Sequence, residues 1–258
     1  MKITVLMENT CPSGKYLCEH GLSLFIETEN KKILFDMGQT DGFHKNAVKM
    51  GVNLTEVDFA VLSHGHYDHG GGLQKFLEIN KTVPVYVSRF AFEPHYNAAG
   101  KYIGLDESLE KNERLVFIDD EYKIADNITL FSCNDMKKQY NAGTCGMSTM
   151  ENGVPVPDDF RHEQYLLIEE NGKKILISGC SHKGIIDITN WFKPDIIIGG
   201  FHFSKLPLDE KLKSYAKILD SFETTYYTCH CTGEEQYDFM KQYMNNLNRI
   251  TAGDIIKF

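Results

Sequence analysis

"VLSHGHYDHGGG", Val61 to Gly72, follows an apolar run and places three histidines and an aspartate in the six positions from His64 to His69. His64 and His66 alternate, so from an extended segment they project the same way. Asp68 and His69 follow where the chain turns into the next helix. Glycines 70 to 72 then permit a close approach of backbone. A lone histidine is usually a core or surface residue. Three beside an aspartate at a strand end form a donor set for two metal ions side by side, with His64 and His66 on one and Asp68 and His69 on the other.

Around this stretch, strand-length apolar runs alternate with helical patterns. "ITVLM", "LSLFI", "KILFDMG", "DFAVLS", "VPVYVS", "RLVFID" and "NITLFSC" read as strands. So do "PDIIIGG" and "TTYYTCH". Helices are expected near 43–50, from 72 to 79, in "KGIIDITNWF" and over 209–222. "YLLIEENGKKILIS" is a hairpin turning at Asn171-Gly172. Thr232 and Glu235 form a capping-box pattern that opens a last helix. Residues 132–161, rich in Gly, Asn and Pro, read as one long loop, a lid over the site. The pattern is α/β, and the chain reads as one domain over residues 1–258.

Two halves of the chain resemble each other. "LFIETENKKILFDMG", from Leu24, aligns with "LLIEENGKKILISGC", 142 residues later. Leu24, Ile26, Glu27, Lys31, Lys32, Ile33 and Leu34 have identical counterparts. Each copy ends in a turn carrying a candidate site residue, Asp36 or Cys180. Each is followed by a helix and by a strand that begins at aspartate and ends near histidine. This pattern describes a two-fold pseudo-symmetric sandwich whose strand ends share one site.

The 258 residues carry a net charge of -9, which argues against non-specific nucleic-acid binding. No apolar run reaches membrane-spanning length, and "MKITVLMENT" lacks the form of a signal peptide. Seven scattered cysteines, an odd number, read as reduced thiols of a cytoplasmic protein.

His64-x-His66-x-Asp68-His69 resembles the signature of the metallo-β-lactamase superfamily. The resemblance implies a four-layer αββα sandwich over essentially the whole chain. It makes Asp36 a residue that orients metal ligands by hydrogen bonding. "CEHGLSLFIE", "ISGCSHKGIIDI", "GGFH" and "CHCTG" are similar to a branch named for an archaeal pterin enzyme. That enzyme is 7,8-dihydropterin-6-methyl-4-(β-D-ribofuranosyl)aminobenzene-5′-phosphate synthase. On this resemblance His182 joins the first metal and His230 the second. His162 in "FRHEQ", nearer the superfamily's usual position, is the rival to His182. Cys180 stands where a bridging aspartate is usual, and reads either as a thiolate ligand or as a small buried residue. His20 and His202 match branch motifs near the pocket, as proton donors or substrate contacts, and Asp68 and His202 are the candidate catalytic groups. His44 and His95 read as ordinary. Cys229 and Cys231, alternating with His230, should point away from it as buried thiols.

Histidine at position 66, where flavodiiron relatives carry glutamate, favours zinc, with manganese, magnesium or iron(II) as alternatives. Two divalent ions about 3.5–4 Å apart can activate water and stabilise developing negative charge. The expected activity is therefore metal-dependent hydrolysis or group transfer on a small anionic, phosphorylated substrate, such as a pterin phosphate. The alternative is a non-catalytic metal-binding or RNA-processing protein. Tyr140, Met147 and Met150 would close over the substrate. No nucleic-acid or membrane partner is expected, and the oligomeric state is left open.

Overall fold

The computed structural model describes residues 1–140 and 145–258. Residues 141–144, which fall within the expected lid, lie outside the described residues. Two seven-stranded sheets carry the fold. In the first the strand order is Ile255–Lys257, Lys2–Met7, Ser23–Glu27, Lys32–Phe35, Phe59–Val61, Val85–Ser88, Leu115–Ile118. In the second it is Leu247–Arg249, Thr225–Thr228, Ile196–Ile198, Lys173–Ile177, Tyr165–Glu170, Ile128–Phe131, Glu121–Ala125.

The sheets share one plan. Three antiparallel pairings lead to Lys32–Phe35 in the first and to Lys173–Ile177 in the second. Three parallel pairings follow in each. The aligned sequence segments are the corresponding hairpins. Their registers agree, with Leu24 opposite Phe35 and Leu166 opposite Ile177.

Side-chain alternation builds the layers. Leu24, Ile26, Ile33 and Phe35 point between the sheets, where they meet Leu166, Ile168, Ile175 and Ile177. The alternate residues Phe25 and Leu34 face outward and pack on Phe43, Ala47, Leu73 and Phe76. These come from the helices Gly42–Met50 and Leu73–Ile79. Leu176 and Ile197 likewise face the helices Ile185–Phe192, Glu210–Asp220 and Glu234–Lys241. The result is the four-layer αββα sandwich.

Three local expectations change. The 132–161 segment is not one loop, since Ser148–Glu151 and Val154–Pro157 form a hairpin whose first strand pairs with His95–Tyr96. Its alternating "STME" and "VPVP" patterns were too short to stand out from the Gly and Pro around them. The last helix has Gly233 at its N-cap, with no side-chain cap. Thr232 instead uses its hydroxyl to accept from the Phe201 N–H, at 2.9 Å. The strands Glu121–Ala125, Leu247–Arg249 and Ile255–Lys257, all at or near sheet edges, carry no marked apolar alternation and were not anticipated. Among the described residues, no helix is long and apolar enough to cross a membrane.

Candidate metal centre

The centre lies where strands of both sheets end. Asp36 follows Lys32–Phe35 in a left-handed conformation, φ 57°. Fully buried, its Oδ1 accepts from the Ser63 N–H at 2.7 Å. Its Oδ2 accepts from the Ser63 hydroxyl at 2.7 Å and lies 2.6 Å from His69 Nδ1. These contacts decide two tautomers. His69 places its proton on Nδ1, toward Asp36, and keeps its Nε2 lone pair free. The Ser63 oxygen, whose O–H donates to Asp36, accepts at 2.8 Å from His64 Nδ1–H. His64 therefore also offers Nε2. The Ser63–His64 contact needs Gly179 opposite it, because a Cβ there would sit 2.2 Å from Ser63 Oγ.

The free lone pairs converge in two sets. His64 Nε2 and His182 Nε2 are 3.3 Å apart. One donor atom each of His64, His66 and His182 falls within 4.8 Å of the others. Beside them, His69 Nε2 lies 3.2 Å from His230 Nε2. Asp68 Oδ2 is 3.3 Å from His230 Nε2 and 3.9 Å from His69 Nε2. Ligands about 2.0–2.2 Å from a tetrahedral ion stand about 3.3–3.6 Å from each other, so the 3.2–3.3 Å separations fit shared divalent ions, while Asp68 and His69 stand slightly wider at 3.9 Å. Cys180 Sγ sits between the sets, 3.2 Å from His69 Nε2.

Burial sets the charge states. It lowers the pKa of His64, His66 and His182 well below the ordinary value, reinforced by neighbouring imidazoles, so all three are neutral. Burial takes His230 down to about 4, partly opposed by Asp68. His69 goes the other way, since Asp36 and Asp68 outweigh its burial and raise it. Burial also works against the Asp68 carboxylate, yet His69, His20 and His230 hold its pKa well below the usual range. Burial and then Cys231 push the Cys180 thiol up.

The family model described as the metallo-beta-lactamase superfamily matches residues 17–221. The chain belongs to the metallo-β-lactamase superfamily. It is 33% identical over 285 residues to 7,8-dihydropterin-6-methyl-4-(beta-D-ribofuranosyl)-aminobenzene-5'-phosphate synthase of Methanocaldococcus jannaschii, covering 100% of this chain and 97% of that protein. It is 32% identical over 265 residues to an uncharacterized protein of the same organism, covering 98% and 99%. Among solved structures, Tm1679, described as a metal-dependent hydrolase of the beta-lactamase superfamily, matches with a TM-score of 0.83 at 29% identity, covering 100% and 99%. A diphosphatase from the PhnP family shares the fold, with a TM-score of 0.52 at 13% identity, covering 100% and 97%.

Beyond the superfamily motif, the structure locates the other candidates. His20 stands half-exposed at the mouth, its Nε2 3.2 Å from Asp68 Oδ2. His202 packs on His182, with ring centroids 4.3 Å apart, and burial followed by the Lys205 charge lowers it to about 4. Both line a cavity of about 190 Å³ with His66, Asp68, His182 and Lys205. Met147 lines it as well; Met150 and Tyr140 do not. His162 stands behind His66, not beside His64, and its Nδ1 accepts from the Gly65 N–H at 2.9 Å. His44 lies on the helix Gly42–Met50, away from both donor sets.

Two readings are corrected. His95 is no ordinary histidine, because it is 1% exposed and its Nδ1 lies 3.0 Å from Asp158 Oδ2, behind His66. Cys231 does not point away from the site. The strand ends at Thr228, and His230–Thr232 forms a 3-10 turn with His230 at φ 49°. Alternation is broken there, and donor atoms of Cys180, His230 and Cys231 come within 4.8 Å of one another. Cys229 is buried between the sheets.

Besides Ser63, three supporting residues carry no role in the sequence reading. Glu8 Oε1 accepts from the His230 N–H at 2.7 Å. Asn9 Oδ1 accepts from His230 Nδ1–H at 2.8 Å, leaving Nε2 free. Glu163, fully buried, accepts from the N–H groups of His182 and Lys183 at 2.7 and 3.0 Å. Glu8 carried a signal in the sequence, since it ends an apolar strand run as Asp36 does.

Proposed function

We propose that the chain is a metal-dependent enzyme whose two divalent ions, most suitably zinc, act on a small phosphorylated substrate by hydrolysis or group transfer. His64, His66 and His182 would hold one ion, and Asp68, His69 and His230 the other, with Cys180 placed to join either. The observation that carries this reading is the pair of adjacent donor sets whose lone pairs are fixed by Asp36, Ser63 and Asn9. When bound, such ions activate water or neutralise a departing phosphate.

The chain's own groups supply the rest. Lys205 lines the cavity beside the centre and would bind an anionic group of the substrate. His202, neutral at physiological pH, would hydrogen-bond a substrate oxygen or accept a proton there. His20 Nε2, touching both solvent and Asp68 Oδ2, is placed to carry protons between them. The pterin synthase named above supports a phosphorylated heteroaromatic as the substrate class.

The test is a thermal-shift panel of phosphorylated heteroaromatics, simple thioesters and β-lactams, with and without metal. Stabilisation by the phosphorylated compounds that disappears on chelation is expected, together with turnover. Stabilisation by thioesters alone, or tight salt-sensitive binding of RNA, would overturn the reading.

A further inference from the structure

Behind His66 lies a second buried cluster that the centre does not use directly. Donor atoms of His66, His95, Asp158 and His162 fall within 4.8 Å of one another. All four residues are at most 4% exposed. The Nε2 atoms of His66, His95 and His162 have no hydrogen-bond partner among the described residues. His95 and His162 pack with ring centroids 3.9 Å apart, and His66 meets His95 edge to face at 5.5 Å.

The cluster resembles a further metal site, but its hydrogen bonds exclude that. A backbone N–H can only donate, so the 2.9 Å contact from Gly65 makes His162 Nδ1 an acceptor. A neutral His162 then carries its proton on Nε2, which lies 3.4 Å from Asp158 Oδ2. Neither nitrogen retains a lone pair for an ion. Asp158 Oδ1 is taken by the Phe160 N–H at 2.8 Å. Its Oδ2 also lies 3.0 Å from His95 Nδ1, which must carry the proton to meet a carboxylate. His95 Nε2 is left with a lone pair. Gly65 makes this possible sterically, since a Cβ there would lie 2.2 Å from Ala91 O and 3.0 Å from His95 Nε2.

We propose that His162, Asp158 and His95 form a positioning relay that holds the proton of His66 on Nε2. The His66 proton reaches the His95 lone pair through one bridging water, since the two Nε2 atoms make no direct hydrogen bond, and the Nδ1 lone pair of His66 is left for the ion. A neutral imidazole otherwise divides between two tautomers, and the wrong one presents N–H to the metal. The Gly65 N–H sets the whole chain of tautomers, two positions along from Ser63, which sets that of His64. The inference rests on the reading of His66 as a ligand.

Long-range proton–nitrogen NMR on the 15N-labelled, metal-stripped protein reads each tautomer. Protons on His162 Nε2, His95 Nδ1 and His66 Nε2 are expected. A proton on His66 Nδ1 or His162 Nδ1 would overturn the relay, as would three ions per chain on zinc titration. Asp158→Asn should weaken zinc at the His64–His66–His182 set by ~10–100-fold, the usual size for a group that orients a ligand. The other set should be unaffected. His95→Gln, which keeps an acceptor, should bind zinc more tightly than His95→Phe, and equal losses would refute positioning. If the tautomers are as stated but no metal binds, the dinuclear reading fails while the relay stands.

Discussion

The two sheets deliver their shares of the centre differently. The first gives His64, His66, Asp68 and His69 from the single strand end after Phe59–Val61, with Asp36 from the neighbouring one. The second gives His182, His202 and His230 from three separate strand ends, after Lys173–Ile177, Ile196–Ile198 and Thr225–Thr228. A contiguous segment can be held by one group, and Asp36 serves both His69 and, through Ser63, His64. Dispersed residues need separate anchors, and Glu163 and the pair Glu8 and Asn9 provide them.

The largest test of that contrast removes one ligand from each side. His64→Ala and His182→Ala should each leave about one ion per chain where two are proposed, and both should abolish turnover. Asp68→Ala and His230→Ala should empty the other position. Elemental analysis after dialysis against zinc reads the stoichiometry. If His182→Ala retains both ions, the second sheet's share is wrongly assigned.

The next test concerns the anchors. Asp36→Asn should weaken both ions, by ~10–100-fold, because it loosens His69 directly and His64 through Ser63. Asn9→Ala should weaken only the ion held by His230, by ~10-fold. Competition titration with a zinc chelator separates the two affinities. Equal effects of Asn9→Ala on both ions would erase the difference between the halves.

That difference also explains what could be read from the sequence. The inward alternation of Leu24, Ile26, Ile33 and Phe35 and its copy at Leu166, Ile168, Ile175 and Ile177 made the sandwich legible, since both hairpins are strongly patterned. The edge strands Glu121–Ala125, Leu247–Arg249 and Ile255–Lys257 are short or mostly exposed and so lack the pattern, whereas the edge strand Leu115–Ile118, which buries Leu115 and Ile118, carries it. The motif at His64–His69 was legible because its donors are neighbours in the chain. His95 and Asp158 were not, because they lie 63 residues apart and each looks ordinary alone. Cys231 departs from strand alternation because the strand ends at Thr228 and a positive φ at His230 turns the backbone.

A smaller effect concerns pH. In the metal-free protein, burial holds His162, His202 and His230 at about 4, against about 6.5 when unfolded. Between those values the unfolded chain binds more protons than the folded one, so stability falls as pH drops from about 6.5 to about 4. His69 opposes this trend. Its raised pKa contributes stability that is present below 6.5 and lost as pH rises through its folded value. With His64, His66 and His182, which burial lowers further still, six lowered histidines outnumber it, so the Tm of the chelated protein should fall by several degrees between pH 7 and pH 4.5. Each of His162→Phe and His202→Phe should flatten the fall. A Tm that rises on acidification would show that His69 dominates.

The smallest effect on the metals and on stability should come from His20. Its side chain is 57% exposed, and its contact with Asp68 faces water, where ion pairs contribute little. His20→Ala should therefore leave both ions bound and Tm within ~1 °C. Its proposed work is proton transfer, and that need not touch ground-state binding. Turnover should fall by ~10-fold or more, with KM almost unchanged. Added imidazole buffer should restore part of the rate, because a free imidazole can reach a group at the cavity mouth. The same buffer should not rescue His202→Ala, whose ring is packed against His182 inside. Rescue of both variants, or of neither, would mean that the exposed and buried histidines do not divide the work as their surroundings indicate.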